Sequence, residues 1–329
     1  MSSAATSASG RVGGVPRAGV VARAPDSLNW LEGFGPAHLG VAAFTLFAFA
    51  GVFHQWMTRQ FGPGGFSWNH VEDWGHAYAV PFISGYAAWR SRERLARLPQ
   101  SVFWPGLGLI LLGLACYVYF IAGYSNHMFQ GLALVTTLGG MVLFVLGPQL
   151  FRALLFPLGF LLFAVSISEM VMIKVTWGLK LLASAGSEVV LQVVGPLMAL
   201  EVQRAGNILN VTHNGVTHPL DVADACSGMR MVIAFVALSV AVAFLSCREW
   251  WQRVAVVLLG VPVALLMNVL RVSVLGALTI VDPELAVGGA HSFIGTLLLA
   301  PAFGLFMTGV WAVRRIIPDD EPTSGGAPA

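Results

Sequence analysis

Asp224-Ala225-Cys226-Ser227-Gly228-Met229-Arg230 opens an apolar run that continues from Met231 to Ser246. Read from residue 225, the run is long enough to cross a bilayer core, which takes roughly 20 apolar residues as a helix. A thiol therefore sits at the polar end of a candidate membrane helix. Working outward, similar stretches lie at about 37–57, 75–90, 102–123, 129–150, 153–173, 251–281 and 291–313. The stretch at 75–90 is short and polar, and that at 251–281 is long enough to tilt or to break at Pro262. The expected fold is an all-α polytopic membrane protein with about eight transmembrane helices.

Composition agrees with this class. The chain is 57% hydrophobic and 10% charged, with a mean hydropathy of +0.76, whereas soluble domains carry about 25% charged residues. A net charge of +2 is too small to form a nucleic-acid-binding surface, so no nucleic-acid partner is expected. Cys116, Cys226 and Cys247 follow no C-x-x-C spacing, which disfavours a zinc cage or a disulfide framework. No two histidines fall at i, i+4 on one helix, and neither a metal nor a cofactor is expected. Residues 1–28 are rich in Ala, Ser, Gly and Arg and lack the apolar core of a signal peptide. They read as a disordered cytoplasmic tail, residues 29–317 as the transmembrane domain, and residues 318–329 as a second disordered cytoplasmic tail.

The arginines set the orientation. Arg11, Arg17 and Arg23 precede the first span, and Arg90, Arg92, Arg94 and Arg97 follow the second. Arg152, Arg248, Arg253, Arg314 and Arg315 fall at loops on the same side if there are eight spans. Both termini are then cytoplasmic. Cys226, the outer part of the 251–281 span and His291 share the opposite face. Between the fifth and sixth spans, residues 174–224 read as an extracytoplasmic lid. Trp177, Leu181, Leu182, Val189, Val190 and Val194 recur at helical spacing among Lys180, Ser184, Ser187 and Glu188, which suits an amphipathic helix at the interface. Glu201 to Leu220 alternates apolar and polar residues around Asn214-Gly215, a β-hairpin signal.

Three side chains at the outer face carry the chemistry. Cys226 stands at a helix N-terminus, where unpaired N–H groups and the helix dipole favour a thiolate. Arg271, in Asn268-Val269-Leu270-Arg271-Val272, is a cation inside an apolar stretch and so marks a functional site by default. His291 follows Gly288-Gly289-Ala290 and opens the last span. A thiol, a guanidinium and an imidazole at one depth are the parts of a cysteine acyl-transfer site. Each also has a bland reading: a small buried hydrophobe for Cys226, snorkelling to lipid phosphate for Arg271, an interfacial polar residue for His291. Around them, Asn268 can orient Arg271 or bridge two helices, and Arg230 can pair with Glu169. His76 and Tyr78 can line a substrate entrance or anchor the chain at the interface.

Together, Ala225-Cys226-Ser227-Gly228-Met229-Arg230, Asn268-Val269-Leu270-Arg271-Val272 and His291 resemble the exosortase/archaeosortase family of membrane transpeptidases. His76-Ala77-Tyr78-Ala79-Val80-Pro81 resembles that family's early motif, and Phe156-Pro157-Leu158-Gly159-Phe160 followed by Glu169 its middle segment. The likeness runs from about residue 40 to 315. It implies a multi-pass enzyme of the bacterial inner membrane, with its site facing the periplasm or exterior. Its partners would be membrane-anchored surface proteins whose C-terminal sorting signal joins a short Pro-containing motif, a hydrophobic helix and a basic tail, as in PEP-CTERM sorting. The resemblance gives Cys226 the role of nucleophile, His291 that of proton shuttle and Arg271 that of oxyanion stabiliser, with an acceptor nucleophile it does not identify. Ser166-Ile167-Ser168 stands where relatives commonly carry prolines. The alternatives are a transporter, with Arg230, Arg271 and Glu169 along its pathway, or a non-catalytic assembly component of a polysaccharide-export system.

Overall fold

The computed structural model describes residues 36–69, 71–222, 229–280, 293 and 297–316. The expected tails, Cys226, His291 and His70 lie outside these residues. The chain folds mainly into helices. A 26-residue helix α1 (Pro36–Phe61) leads through two single turns, α2 (Phe66–Asn69) and α3 (Val71–Trp74), into α4 (His76–Arg90) and the short α5 (Arg92–Ala96). The helices α6 (Pro105–Ala122) and α7 (His127–Leu146) follow as an antiparallel pair. Asn126 caps α7 by accepting from the Phe129 N–H at 3.2 Å. The pair is close because small residues face its seam: Gly113 abuts Thr137, and a Cβ on Gly140 would come within 2.8 Å of the Ile110 nitrogen.

The stretch expected to form one span over 153–173 is not one helix. It comprises α8 (Pro148–Ala153), α9 (Leu155–Phe160), a 3₁₀ turn at Leu161–Ala164 and four non-helical residues, before α10 (Glu169–Val194) begins. Polar partners hold the interruption in place. The Ser166 hydroxyl donates to Gln60 Oε1 at 3.2 Å, and the Ser168 N–H meets Met128 Sδ at 3.4 Å. Gln60, fully buried, also donates to Ser67 at 2.9 Å and bonds His127 Nε2 at 2.6 Å.

A second 3₁₀ turn (Gly195–Met198) leads from α10 into the strands β1 (Leu200–Ala205), β2 (Ile208–His213) and β3 (Val216–Asp221). They form an antiparallel meander in the order β1-β2-β3, one strand more than the expected hairpin. The Asn214-Gly215 turn appears as read, with φ of 51° and 80°, the left-handed pair a type I′ hairpin demands. The other turn uses Gly206 at φ 68°. Three long helices complete the fold: α11 (Met229–Ser246), α12 (Trp250–Leu278) and α13 (Leu299–Ile316).

Contacts sort the helix ends into two groups. At one end, the Trp56 indole donates to His127 O at 3.0 Å and the Tyr78 hydroxyl to Phe61 O at 3.2 Å. This joins the end of α1, the start of α4 and the start of α7. At the other end of α4, Arg90 shares a cleft with Arg152, Phe244 and Arg253, so the ends of α4 and α11 meet the starts of α8 and α12 there. The 148–164 segment climbs from the second group to the first, where Ser166 finds Gln60.

Among the described residues, four helices are long and apolar enough to cross a membrane: Pro105–Ala122, His127–Leu146, Met170–Met198 and Trp250–Leu278. Leu155–Ala164 and Val232–Ser246 are shorter apolar helices. The third of the long helices begins near the first group. The Tyr124 hydroxyl lies 3.9 Å from Met170 Sδ near its start, and its later turns pack against the C-terminal turns of α12, through Gly186 on Val269 and Leu191 on Gly276.

Candidate functional site

The α10 helix turns its small and hydroxylated residues inward and its large apolar ones outward. Ser184 and Ser187 are fully buried, although their polarity reads as a solvated face. Trp177, Leu182, Val189 and Val193 are exposed, which is the arrangement of a helix whose outer surface meets lipid. The buried hydroxyls have partners on neighbouring elements. Ser184 donates to Gly206 O at 3.0 Å in the first strand turn, and Ser187 to Val269 O at 3.0 Å on α12. Gly186 makes this approach possible, since a Cβ there would stand 2.7 Å from a Val269 methyl.

The sheet lies over this seam. Leu200 and Val202 of β1, Leu209 and Val211 of β2, Leu220 of β3 and the adjoining Val222 form one buried cluster with Ala183, Leu191, Val272 and Leu275. The alternation in β2 follows the period of two, with Leu209 and Val211 fully buried. Its other face carries polar pairs such as Thr212 and Thr217, whose hydroxyls meet at 2.9 Å. Glu188 and Arg204 pin the edge, with Arg204 Nε donating to Glu188 Oε2 at 3.0 Å.

Arg271 is half-buried in the wall of this cluster. Asn268, Arg271, Val272 and Leu275 share one helical face, and the last two belong to the cluster under the sheet. Asn268 is 2% exposed, and its Oδ1 meets no hydrogen-bond donor among the described residues. Arg271 stands 21 residues after Trp250, about 32 Å along the helix at 1.5 Å per residue, roughly one hydrocarbon thickness.

The chain leaving β3 enters the core that α12 lines next to Arg271. Val222 is fully buried in the same cluster as Val272, the residue next to Arg271. Cys226 follows Val222 by four residues, a reach of at most about 14 Å, and lies outside the described residues. His291 also lies outside them. The last helix returns to the same part of α12, since Leu298 and Leu270 pack against one buried cluster shared by α11, α12 and α13.

The supporting residues divide. His76 opens α4, with its ring 5.7 Å from that of Trp74. Tyr78 ties α4 to α1 through its bond to Phe61 O. Both α3 and α4 pack against α11, the helix that follows Cys226. Glu169 begins α10 and Arg230 lies in the first turn of α11; their side chains are outside the described residues. Sequence reasoning did not single out Gly186 and read Ser187 only as part of a polar helix face. A glycine beside a serine on an otherwise lipid-facing helix was the available signal. Among the described residues no three His, Cys, Asp or Glu side chains cluster as a metal site would.

A family model described as a transmembrane exosortase matches residues 68–308, a stretch that includes Cys226, Arg271 and His291. No curated protein and no solved structure matches the chain.

Proposed function

The chain belongs to the transmembrane exosortase family, and on that premise we propose that it is a membrane cysteine peptidase or transpeptidase acting on C-terminal sorting signals of exported proteins. The observation that carries this reading is the shared buried cluster of Val222 and Val272. It packs the strand end four residues before Cys226 into the same core as the helix turn that bears Arg271. The grouping of helix ends supports eight crossings, with α1, α4, α6, α7, the broken 148–164 segment, α11, α12 and α13 as spans. In this reading α10 and the sheet form a cover at the outer face of the inner membrane.

In the reaction proposed, His291 accepts the Cys226 proton and the thiolate attacks the scissile carbonyl carbon. The carbonyl oxygen gains negative charge and accepts hydrogen bonds from the Arg271 guanidinium. As the intermediate collapses, the C–N bond breaks and the amine leaves with the proton held on His291. The new carboxyl end remains as a Cys226 thioester until water or an acceptor amine attacks it. The substrates would be surface proteins anchored by one hydrophobic helix with a basic tail.

The test is substrate processing in cells carrying Cys226→Ala at unchanged protein level. Cleavage should cease, and a hydroxylamine-sensitive substrate adduct seen with the natural chain should vanish. Undiminished cleavage by this variant would reject the enzyme reading and favour a transporter or an assembly component.

A further inference from the structure

The end of the molecule opposite the sheet holds a cleft of about 760 Å³ between α4, α5, α8, α9, α11 and α12. Four arginines line it: Arg90, Arg94, Arg152 and Arg253, with no carboxylate in the lining. None of the four forms an ion pair among the described residues; the ion pair found there, Arg204 with Glu188, is at the other end of the molecule. The apolar wall contains Phe156 and Phe244, stacked with centroids 4.0 Å apart. Arg253 is held in place by donating Nε–H to Cys247 O at 3.1 Å and by lying 5.0 Å over the Phe244 ring.

A bias of arginines toward one side of a membrane requires only that they occupy loops on that side. It does not require four of them to face one another. Other arginines of this end do not converge: Arg92 lies 4.2 Å over Trp89 and Arg315 lies 5.2 Å over Trp311. Four guanidiniums around one space repel each other and disfavour a basic peptide there, whereas an anion with several oxygens relieves the repulsion through paired N–H bonds. The volume falls in the roughly 300–1,000 Å³ range of small-ligand sites. The adjoining aromatic wall gives a place for an apolar stem below the anion.

We propose that this cleft binds a phosphate-bearing anion, supplied by the headgroup of an anionic phospholipid in the leaflet on the arginine-rich side. Basic pockets between membrane helices hold such headgroups by the same combination of charge and apolar wall. A soluble phosphate would use the arginines and leave the Phe156–Phe244 wall without a role.

The experiment uses the full chain, purified in a zwitterionic detergent and titrated with phosphatidylglycerol or phosphatidylcholine, with bound lipid counted by native mass spectrometry. Phosphatidylglycerol should be retained at least about tenfold better than phosphatidylcholine. Arg152→Gln with Arg253→Gln should lose that preference by about tenfold or more, and Arg94→Gln alone should lose part of it. Arg314→Gln with Arg315→Gln, on the same side and outside the cleft, should retain it. The Lys versions of Arg152 and Arg253 keep the charge and should show an intermediate loss, which separates lost recognition from misfolding. Equal lipid preference in the Gln pair, or equal loss in the Arg314 and Arg315 control, overturns the site. Binding of inorganic pyrophosphate to the lipid-free chain without any lipid preference overturns the lipid source and assigns the cleft to a soluble phosphate.

Discussion

Two helix seams in this molecule are built on glycine but serve different ends. Between α6 and α7, Gly113 and Gly140 bring two apolar helices together, and the buried hydroxyl of Thr137 donates to Ala133 O on its own helix at 2.8 Å. Across that seam Gln130 of α7 donates to Phe120 O of α6 at 2.6 Å, near the end of α6 and away from the two glycines. Between α10 and α12, Gly186 allows an equally close approach, but the Ser187 hydroxyl crosses to Val269 O. Asn268 and Arg271 flank that carbonyl on the same helix. The first seam joins shape to one buried bond, carries no candidate site residue and works as a scaffold. The second fixes the position of a polar group at the helix end where the sheet and the last strand arrive. Close packing and a buried side-chain bond are common to both, and only the second seam adjoins a residue of the proposed site.

The largest effect should come from Arg271. Replacement by Lys keeps one positive charge and removes the planar fork, so the proposed oxyanion contact loses its paired geometry. Processing by Arg271→Lys should fall by about 10²-fold or more at normal protein level. No comparable loss is expected for Arg314→Lys, outside both the proposed site and the arginine cleft. Near-normal cleavage by Arg271→Lys would return Arg271 to a snorkelling role and remove the chemical distinction between the two seams.

A smaller effect should separate the glycines. Gly186→Ala and Gly140→Ala each place a Cβ at less than 3 Å from a neighbouring atom, an overpacking that costs roughly 1–3 kcal/mol. Both should lower the melting temperature in detergent. Only Gly186→Ala also displaces α10 from the face of Arg271, so it should lower processing by about tenfold, short of the roughly hundredfold cost of a 1 Å misplacement. Equal processing by the two variants would show that the α10 seam is scaffold as well. Gly108→Ala on α6, with open space around it, is the control for both.

The contrast also explains what could be read from the chain in advance. Apolar runs placed α1, α4, α6, α7, α11 and α12 to within several residues, because helices facing lipid must be continuous in hydropathy. The Asn214-Gly215 turn was legible because its two residues tolerate positive φ. Gly206-Asn207 carries a similar signal, and counting it gives the third strand. The interruption near Ser166 was not legible: Val165-Ser166-Ile167-Ser168 is apolar enough to continue a helix, and its bonds to Gln60 and Met128 come from residues distant in sequence. On α10, hydropathy assigned Ser184 and Ser187 to water. In lipid the polar face of a helix turns toward protein, so they are buried instead. Arg271 was legible as a candidate because an arginine in such a stretch is costly; the burial of Val222 in the cluster that holds Val272 was not.

The smallest effect tests the hydroxyl that crosses the second seam. Ser187→Ala removes one bond to Val269 O, but Ser273 still donates to that carbonyl at 2.9 Å, so no acceptor is left bare. Interhelical bonds of this kind in membrane proteins contribute about 0.6 kcal/mol, so stability should fall by no more than that in reversible detergent unfolding. Thr137→Ala loses only a bond within its own helix, although it also opens a small gap opposite Gly113. The two variants should therefore resemble each other in stability and differ in activity. If Ser187 holds the turn of Arg271 in register, Ser187→Ala should slow processing by about threefold, matching the bond lost, while Thr137→Ala leaves it unchanged. Ser187→Thr retains the hydroxyl and should restore the rate if its methyl fits beside Gly186. A rate for Ser187→Ala equal to that of Thr137→Ala would show that Gly186 alone sets the position of α10, by shape and without the help of a polar bond.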